Sequence, residues 1–404
     1  MQLIEWIYLG IFGVMLYSTV LWLIVYLDNR EDVHKDPEPS YFPGVTFLVP
    51  AYNEEDYIAG TLESLLEQNY PSEKIEIIAI NDGSEDNTLE EMKKYEDRIE
   101  IIDKENSGKS NSMNQALERV DTEVVACMDA DSRPEKDFLK KMVGYLEEDG
   151  VKGVTPAMMI EDPETTAQRV VWFEYVYNLF LRKLFSIFDS QFVMPGPGSL
   201  YETKHLKEIG GWDEDTLTED MEVVFRMMEA GAKIRNSTNA KVKTHSPPDF
   251  RGLLRQRSRW YRGNLNNAFR YRNVFLNPKF GNFGMVVIPF NLVWAALVMF
   301  IFGHFFYRLS TSLFDMAASI WQYGLQFSMP MISVQSLSLF HLFNVALAAL
   351  GVFMLYMSIS VSEIDLGERA RKLDVVFFLI MYAFLYSVFW IKALADKFRG
   401  SKAW

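Results

Sequence analysis

The most constraining feature of this chain is where its charges are absent. Residues Ile7 to Leu27 carry no formal charge over 21 positions, Gly281 to Tyr307 carry none, Met316 to Ser362 carry none over 47 positions, and Val375 to Ile391 carry none over 17. A helix needs about 20 apolar residues to cross roughly 30 Å of hydrocarbon, so both ends of the chain are expected to span a membrane. The acidic start MQLIE, with no small-residue cleavage site after the first run, argues for a retained span rather than a cleaved signal peptide. The 47-residue stretch has room for two spans with a break near Pro330, although Gln322 and Gln326 weaken its first half. The count is therefore four or five, with a slight preference for five. Arg30 and Lys35 follow the first run and predict an outside N-terminus and a cytosolic middle. Arg369, Arg371 and Lys372 before the last run, against Lys392, Lys397, Arg399 and Lys402 after it, add no preference.

Charged residues fill the stretch between about 28 and 280. The net charge of −14 argues against a nucleic-acid partner, because phosphate binding needs a basic face that releases counterions. A single cysteine, Cys127, excludes an intrachain disulfide and fits a reducing compartment. Between 45 and 130, short β-branched runs (VTFLV, IEIIAI, IEII, VVACM) alternate with helical stretches at about 55–68, 87–96, 109–119 and 136–148. That rhythm predicts an α/β domain with a parallel sheet, whose ligands sit at the carboxyl ends of the strands. Two of those ends are acidic, NDGS at 81–84 and DADS at 129–132. The expected division is a transmembrane helix at 1–28, a linker at 29–44, a cytosolic domain at 45–272 and a membrane region at 273–404. Within the cytosolic part, the aromatic-rich amphipathic stretch 166–189 and the basic stretch 249–268 are expected to lie at the bilayer interface.

Asp129 and Asp131 flank Ala130 at the end of an apolar run, so both carboxylates point to one side of an extended chain. Paired hard oxygen ligands suit Mg²⁺ or Mn²⁺ carrying a diphosphate, although acidic pairs after strands are also common turn formers. Thr218-Glu219-Asp220 opens a helix that ends before Gly231. A Thr cap with acids favoured by the helix dipole explains it blandly; the sharper alternative makes Asp220 a general base for an acceptor hydroxyl. Gln256, Arg259 and Trp260 share one helical face that combines an amide, a cation and a stacking surface. Their alternative is a basic helix on acidic lipid, which Arg251, Arg255, Arg257 and Arg262 would also serve. Gly108-Lys109-Ser110 has the end of a phosphate loop but Asp103 where that motif requires glycine, so it is not one. Lys109 at a helix start still suits a phosphate contact.

VPAYNEE (49–55), NDGS (81–84), GKSNSMN (108–114), DAD (129–131), TED (218–220) and QRSRW (256–260), in that order, resemble the processive family-2 glycosyltransferases, among them hyaluronan, cellulose, chitin and poly-N-acetylglucosamine synthases. The resemblance runs from about 45 to 265. It implies a GT-A domain packed on interfacial and transmembrane helices, in a multi-pass plasma-membrane protein with its catalytic domain in the cytosol. It also implies a UDP-sugar donor, UDP-N-acetylglucosamine or UDP-glucose. Ala51, Tyr52, Glu54 and Asp82 would then line the nucleoside pocket and Lys109 would face the diphosphate. Asp129 and Asp131 would form the donor and metal site, with Mg²⁺ or Mn²⁺ as cofactor, and Asp220 would be the base. Gln256, Arg259 and Trp260 would grip diphosphate and acceptor. Glu219, the 196–199 loop and Gly210-Gly211-Trp212 fall where such enzymes contact the acceptor. In one respect the chain departs from the pattern: the FxVTxK gating motif of cellulose synthases is absent between 265 and 404.

The expected reaction is an inverting transfer that extends a β-linked polysaccharide, with export as a possible coupled step. Addition of a single sugar to a membrane lipid is the alternative, and an inactive scaffold or transporter is the remote one.

Overall fold

The computed structural model describes residues 3–324, 339–362 and 372–399. Eight strands and six helices among the described residues build the α/β domain that follows the first apolar helix. Strands β1 (Val45–Ala51), β2 (Ile75–Asp82), β3 (Glu100–Lys104) and β4 (Val124–Cys127) pair in parallel in the order β3-β2-β1-β4. Helices α2 (Ile58–Leu66), α3 (Thr88–Lys93) and α4 (Lys109–Leu117) make the crossovers. β1, β2 and β4 are largely hydrophobic because both of their faces are covered, whereas the edge strand β3 (Glu-Ile-Ile-Asp-Lys) is only partly buried. Leu62, Leu65, Phe138 and Met142 are buried on one side, and Met113, Ala116, Val223 and Met227 on the other.

Beyond β4 the sheet turns mixed. β7 (Ser199–Glu202) runs antiparallel to β4, and β6 (Val151–Ile160) antiparallel to β7 and parallel to β8 (Lys233–Thr244). The two-residue β5 (Arg133–Pro134) closes the far edge against β8. Helix α5 (Phe138–Val143) follows β5, α7 (Thr203–Glu208) follows β7, and α8 (Glu219–Glu229) leads into β8.

Helix α6 (Thr166–Ile187) joins this domain to the apolar helices. A Thr165 capping box fixes its start. It packs on β6 and β8 on one side and on α11 (Leu339–Ser362) and α12 (Lys372–Phe398) on the other. Trp172, Phe173, Phe180 and Leu184 are buried between them, and the polar Glu174 and Ser186 are buried as well. Of the polar residues spaced four apart along α6 (Glu174, Asn178, Arg182 and Ser186), two are thus enclosed by tertiary partners. Helix α9 (Phe250–Arg270) lies along α12, where Tyr261 stacks on Trp390 and Ser258 donates to Asp396.

Among the described residues, three helices are long and apolar enough to cross a membrane: α1 (Leu3–Asp28), Phe283–Tyr323 and Asp374–Phe398. The second consists of a π-helical turn at Phe283–Val287 that continues into α10 (Ile288–Tyr323). At 1.5 Å per residue, its 41 residues exceed the thickness of a hydrocarbon core. Sequence separates the run ending at Tyr307 from the one starting at Met316, yet Arg308 and Asp315 are turns of this one helix. The proposed break at Pro330, Gln326, the basic residues Arg369 and Arg371, and Lys402 lie outside the described residues.

Candidate active site

The parallel pairing of β1 with β2 and β4 brings Ala51, Asn81 and Cys127 to one edge of the sheet. The segment after β4 carries Asp129 and Asp131 onto that edge. The loop 195–198 closes over it from β7, and a Cβ on Gly196 would stand 2.5 Å from both Asp129 Oδ1 and Lys109 Nζ. Only glycine admits so close a backbone approach.

A cavity of about 1030 Å³ opens there. Lys109, Asp129, Asp131, Glu219, Asp220, Gln256, Arg259 and Trp260 all line it. These are eight of the thirteen side chains singled out from the sequence. The cavity continues between α1, α10, α11 and α12 past Trp22, Phe290, Trp294, Tyr382 and Phe384, so one space joins the acidic sheet edge to the apolar helices.

Lys109 opens α4 and its ammonium lies 2.5 Å from Asp129 Oδ1 and 3.2 Å from Glu219 Oε1. Burial works against the charge on Glu219, but the cations Lys109 and Arg259 hold its carboxyl below the usual range. Asp220, one residue on, goes the other way: burial, and then the Glu219 charge, push it up to about 7. Among the described residues its Oδ1 accepts only from the nearby Met221 N–H, at 2.9 Å. Thr218 stands at the N-cap position but makes no side-chain cap, so that half of the bland reading of this helix start fails, while the acids do occupy the first turn. Its Oγ1 instead receives Asn267 of α9 at 3.3 Å.

Burial and the Asp129 charge raise the Asp131 carboxyl. Glu54 is raised to about 7 by burial and by Asp131 and Asp129. Carboxylates that repel one another in this way are what a bound cation relieves. The Nε2 of His245, another cavity residue, is buried without a hydrogen bond among the described residues and lies 3.7 Å from Glu161 Oε2. The Asp129 and Asp131 carboxylates are the oxygen donors a hard divalent cation takes, and His245 lines the same cavity. Among the described residues, no three His, Cys, Asp or Glu side chains close into a ready-made cage.

Five expected residues lie elsewhere. Ala51 is buried at the end of β1, and Tyr52 and Glu54 follow it at the rim. The Asp82 carboxylate at the end of β2 is taken up by the β3–α4 connection, accepting from Lys104 Nζ at 2.8 Å and from the N–H groups of Ser107 and Gly108. Trp212 is buried against Tyr201 with ring centroids 5.5 Å apart, and Asn114 clamps its backbone through two hydrogen bonds. Its indole belongs to the core beside α4 rather than to the cavity, because the 210–214 loop folds inward. Of the α9 arginines considered for lipid headgroups, Arg251 and Arg255 are exposed, whereas Arg257 and Arg262 are buried. Sequence reasoning passed over His245 and Arg182 as cavity residues; neither stands in a recognisable motif.

Residues 46–210 match the family described as Glycosyl transferase family 2. The chain is 28% identical over 304 residues to poly-beta-1,6-N-acetyl-D-glucosamine synthase of Staphylococcus aureus strain MSSA476, across 71% of this chain and 73% of the relative. It is 29% identical over 272 residues to the enzyme of the same name from Staphylococcus epidermidis, across 65% of each. In fold it is similar to the mannosyltransferase PcManGT from Pyrobaculum calidifontis, solved with GDP-Man and Mn²⁺. The TM-score is 0.63 at 19% identity, over 97% of this chain and 99% of that one. The two chains thus share a fold over nearly the whole length of each.

Proposed function

Since residues 46–210 are a family-2 glycosyltransferase domain and the protein is an enzyme of the hexosyltransferase class, we propose that it moves a sugar from a UDP-sugar donor onto a growing β-linked polysaccharide. UDP-N-acetylglucosamine is the favoured donor, from the names of the sequence relatives, and UDP-glucose is second. One observation carries the reading: a carboxyl poised near neutrality, two paired acids, two cations and a stacking indole converge on a single cavity that continues between membrane helices. The division into an N-terminal span, a linker, a cytosolic domain at 45–272 and a C-terminal membrane region belongs to the same proposal, as does a plasma-membrane location.

In the proposed reaction Asp220 takes the proton from an acceptor hydroxyl whose oxygen forms a bond to the anomeric carbon, while the bond from that carbon to UDP breaks. A single in-line displacement inverts an α-linked donor to a β product. Lys109 and Arg259 sit where negative charge grows on the departing diphosphate. Asp129 and Asp131, with His245 beside them, would hold Mg²⁺ or Mn²⁺, which when bound offsets diphosphate charge. Trp260 offers a ring face to a sugar.

The apolar depth of the cavity, between Trp22, Trp294 and Phe384, favours one second reading, transfer of a single sugar to a membrane lipid. One experiment separates the two. The purified protein is incubated with Mn²⁺ or Mg²⁺ and each common UDP-sugar, UDP release is followed and the product is sized. A long polymer cut by β-specific hydrolases supports the synthase. Release that depends on added lipid and yields one sugar per acceptor supports the second reading. No release with any donor would sink both.

A further inference from the structure

We propose that Glu174 of α6 and Arg257 of α9 form a positioning pair that fixes the orientation of Gln256 and Trp260 in the cavity. The inference rests on the reading of those two side chains as donor and acceptor contacts, and neither Glu174 nor Arg257 is assigned to touch substrate.

The geometry is specific. Arg257 Nη2 lies 2.8 Å from Glu174 Oε2, and the side chains are 0% and 6% exposed. Arg257 Nη1 donates to Gln256 Oε1 at 3.0 Å. The guanidinium carbon sits 3.9 Å from the centroid of the Trp260 ring. One buried cation thus holds a carboxylate, an amide oxygen and an indole face together, while its Nε makes no hydrogen bond.

Three consequences follow. The bond from Arg257 takes one lone pair of the Gln256 amide oxygen and fixes which way the amide faces, with its N–H donors suited to phosphate, hydroxyl or acetamide oxygens. One face of Trp260 is covered by the guanidinium, leaving the other for a sugar. A desolvated cation–π contact is also stronger than an exposed one, and the planar guanidinium fixes the angle between its partners in a way that a lysine cannot. The counter-charge comes from α6, 83 residues away in sequence. Helix α6 also packs on α11 and α12, so the orientation of the transfer face is set by the helix that touches the membrane bundle. A buried ion pair adds little net stability over an apolar pair; here its work is alignment.

The test uses the full-length protein in detergent with Glu174→Gln, Arg257→Met and the exchange Glu174→Arg/Arg257→Glu. Melting temperature, kcat, donor KM and the ¹⁹F resonance of 5-fluorotryptophan at position 260 are read, the resonance being assigned with Trp260→Phe among the nine tryptophans. The exchange restores opposite charges between the helices but sets a carboxylate against the indole and the Gln256 oxygen. Misalignment is expected to lower kcat roughly tenfold to a hundredfold with donor KM within about twofold, in the exchange as in the single variants, and to shift the Trp260 resonance in all three. If the exchange regains both melting temperature and kcat, the pair merely holds two helices together and the inference is overturned. Should the exchange fail to fold, the near-isosteric Glu174→Gln decides alone, and unchanged kcat with an unmoved resonance overturns the inference. The resonance needs no turnover. A wild type inactive with every donor would therefore sink the proposed function while leaving this alignment still open to rejection by an unmoved signal.

Discussion

Glu219 and Asp220 are consecutive residues at the start of one helix, and the structure drives their carboxyls apart. Lys109 stands 3.2 Å from Glu219 and holds it ionised. Asp220 lacks such a contact, is buried, and feels the Glu219 charge, so its carboxyl rises to about 7. Two acids in contrasting surroundings divide into a fixed charge and a proton acceptor. The fixed charge raises the basicity of its neighbour, which is what a base working near neutrality requires.

The pH dependence follows with a definite sign. Asp220 acts as a base only when ionised, so kcat at saturating donor is expected to climb as pH rises through about 7 and then level off. Asp220→Asn is expected to remove turnover, by roughly a hundredfold or more, while UDP still binds in calorimetry. A kcat profile that stays flat across this range would reject Asp220 as the base, and equal loss of UDP binding would move it into the donor site.

Lys109 links the two halves of the site, and its removal is expected to change two measurements together. Lys109→Met leaves Asp129 and Glu219 without the cation they share, so donor KM rises. Lys109 also counters the upward push on Asp220; without it, the acid limb of the kcat profile moves to higher pH. A raised KM with an unmoved limb would mean that Lys109 serves the donor alone.

The strand and helix order between 45 and 130, and the acids at the strand ends, were legible because hydrophobic period and turn chemistry are local. Asp129, Asp131 and Asp220 could be named for the same reason: each stands at an element boundary in a recognisable run. What was hidden is tertiary. Arg257 looks like one more basic residue on an amphipathic helix until Glu174 arrives from 83 positions away. Trp212 looks like an exposed contact, but Asn114 pulls its backbone inward. Asp82 accepts from Ser107 and Gly108, which arrive from the connection between β3 and α4, 25 and 26 positions away. The run from Gly281 to Tyr307 ends at a charge, Arg308, and a single charge does not end a helix.

Chelation should separate the roles of the acids. EDTA is expected to abolish transfer, and Mn²⁺ or Mg²⁺ to restore it. Asp131→Asn removes one proposed ligand and should raise the cation concentration for half-maximal rate by roughly tenfold to a hundredfold. His245→Ala should raise it by a smaller factor, since its buried Nε2 has no other hydrogen bond. Full activity in EDTA would dismiss the metal.

The contact between α8 and α9 offers a test of packing that also reports on function. Gly263 of α9 faces Thr218, and a Cβ at that position would meet Thr218 Oγ1 at 2.2 Å and Cγ2 at 2.4 Å. Gly263→Ala must therefore push α9, with Gln256, Arg259 and Trp260, away from the helix that carries Asp220. Overpacking of this kind costs about 1–3 kcal/mol, seen as a lower melting temperature. The larger expectation is loss of kcat, because the base and the stacking face part. Thr218→Ala in the same chain removes the two closest atoms and leaves only Cβ, at 2.8 Å. It should recover most of the melting temperature and part of the rate. A Gly263→Ala protein with wild-type kcat would show that the spacing of these helices does not set the chemistry.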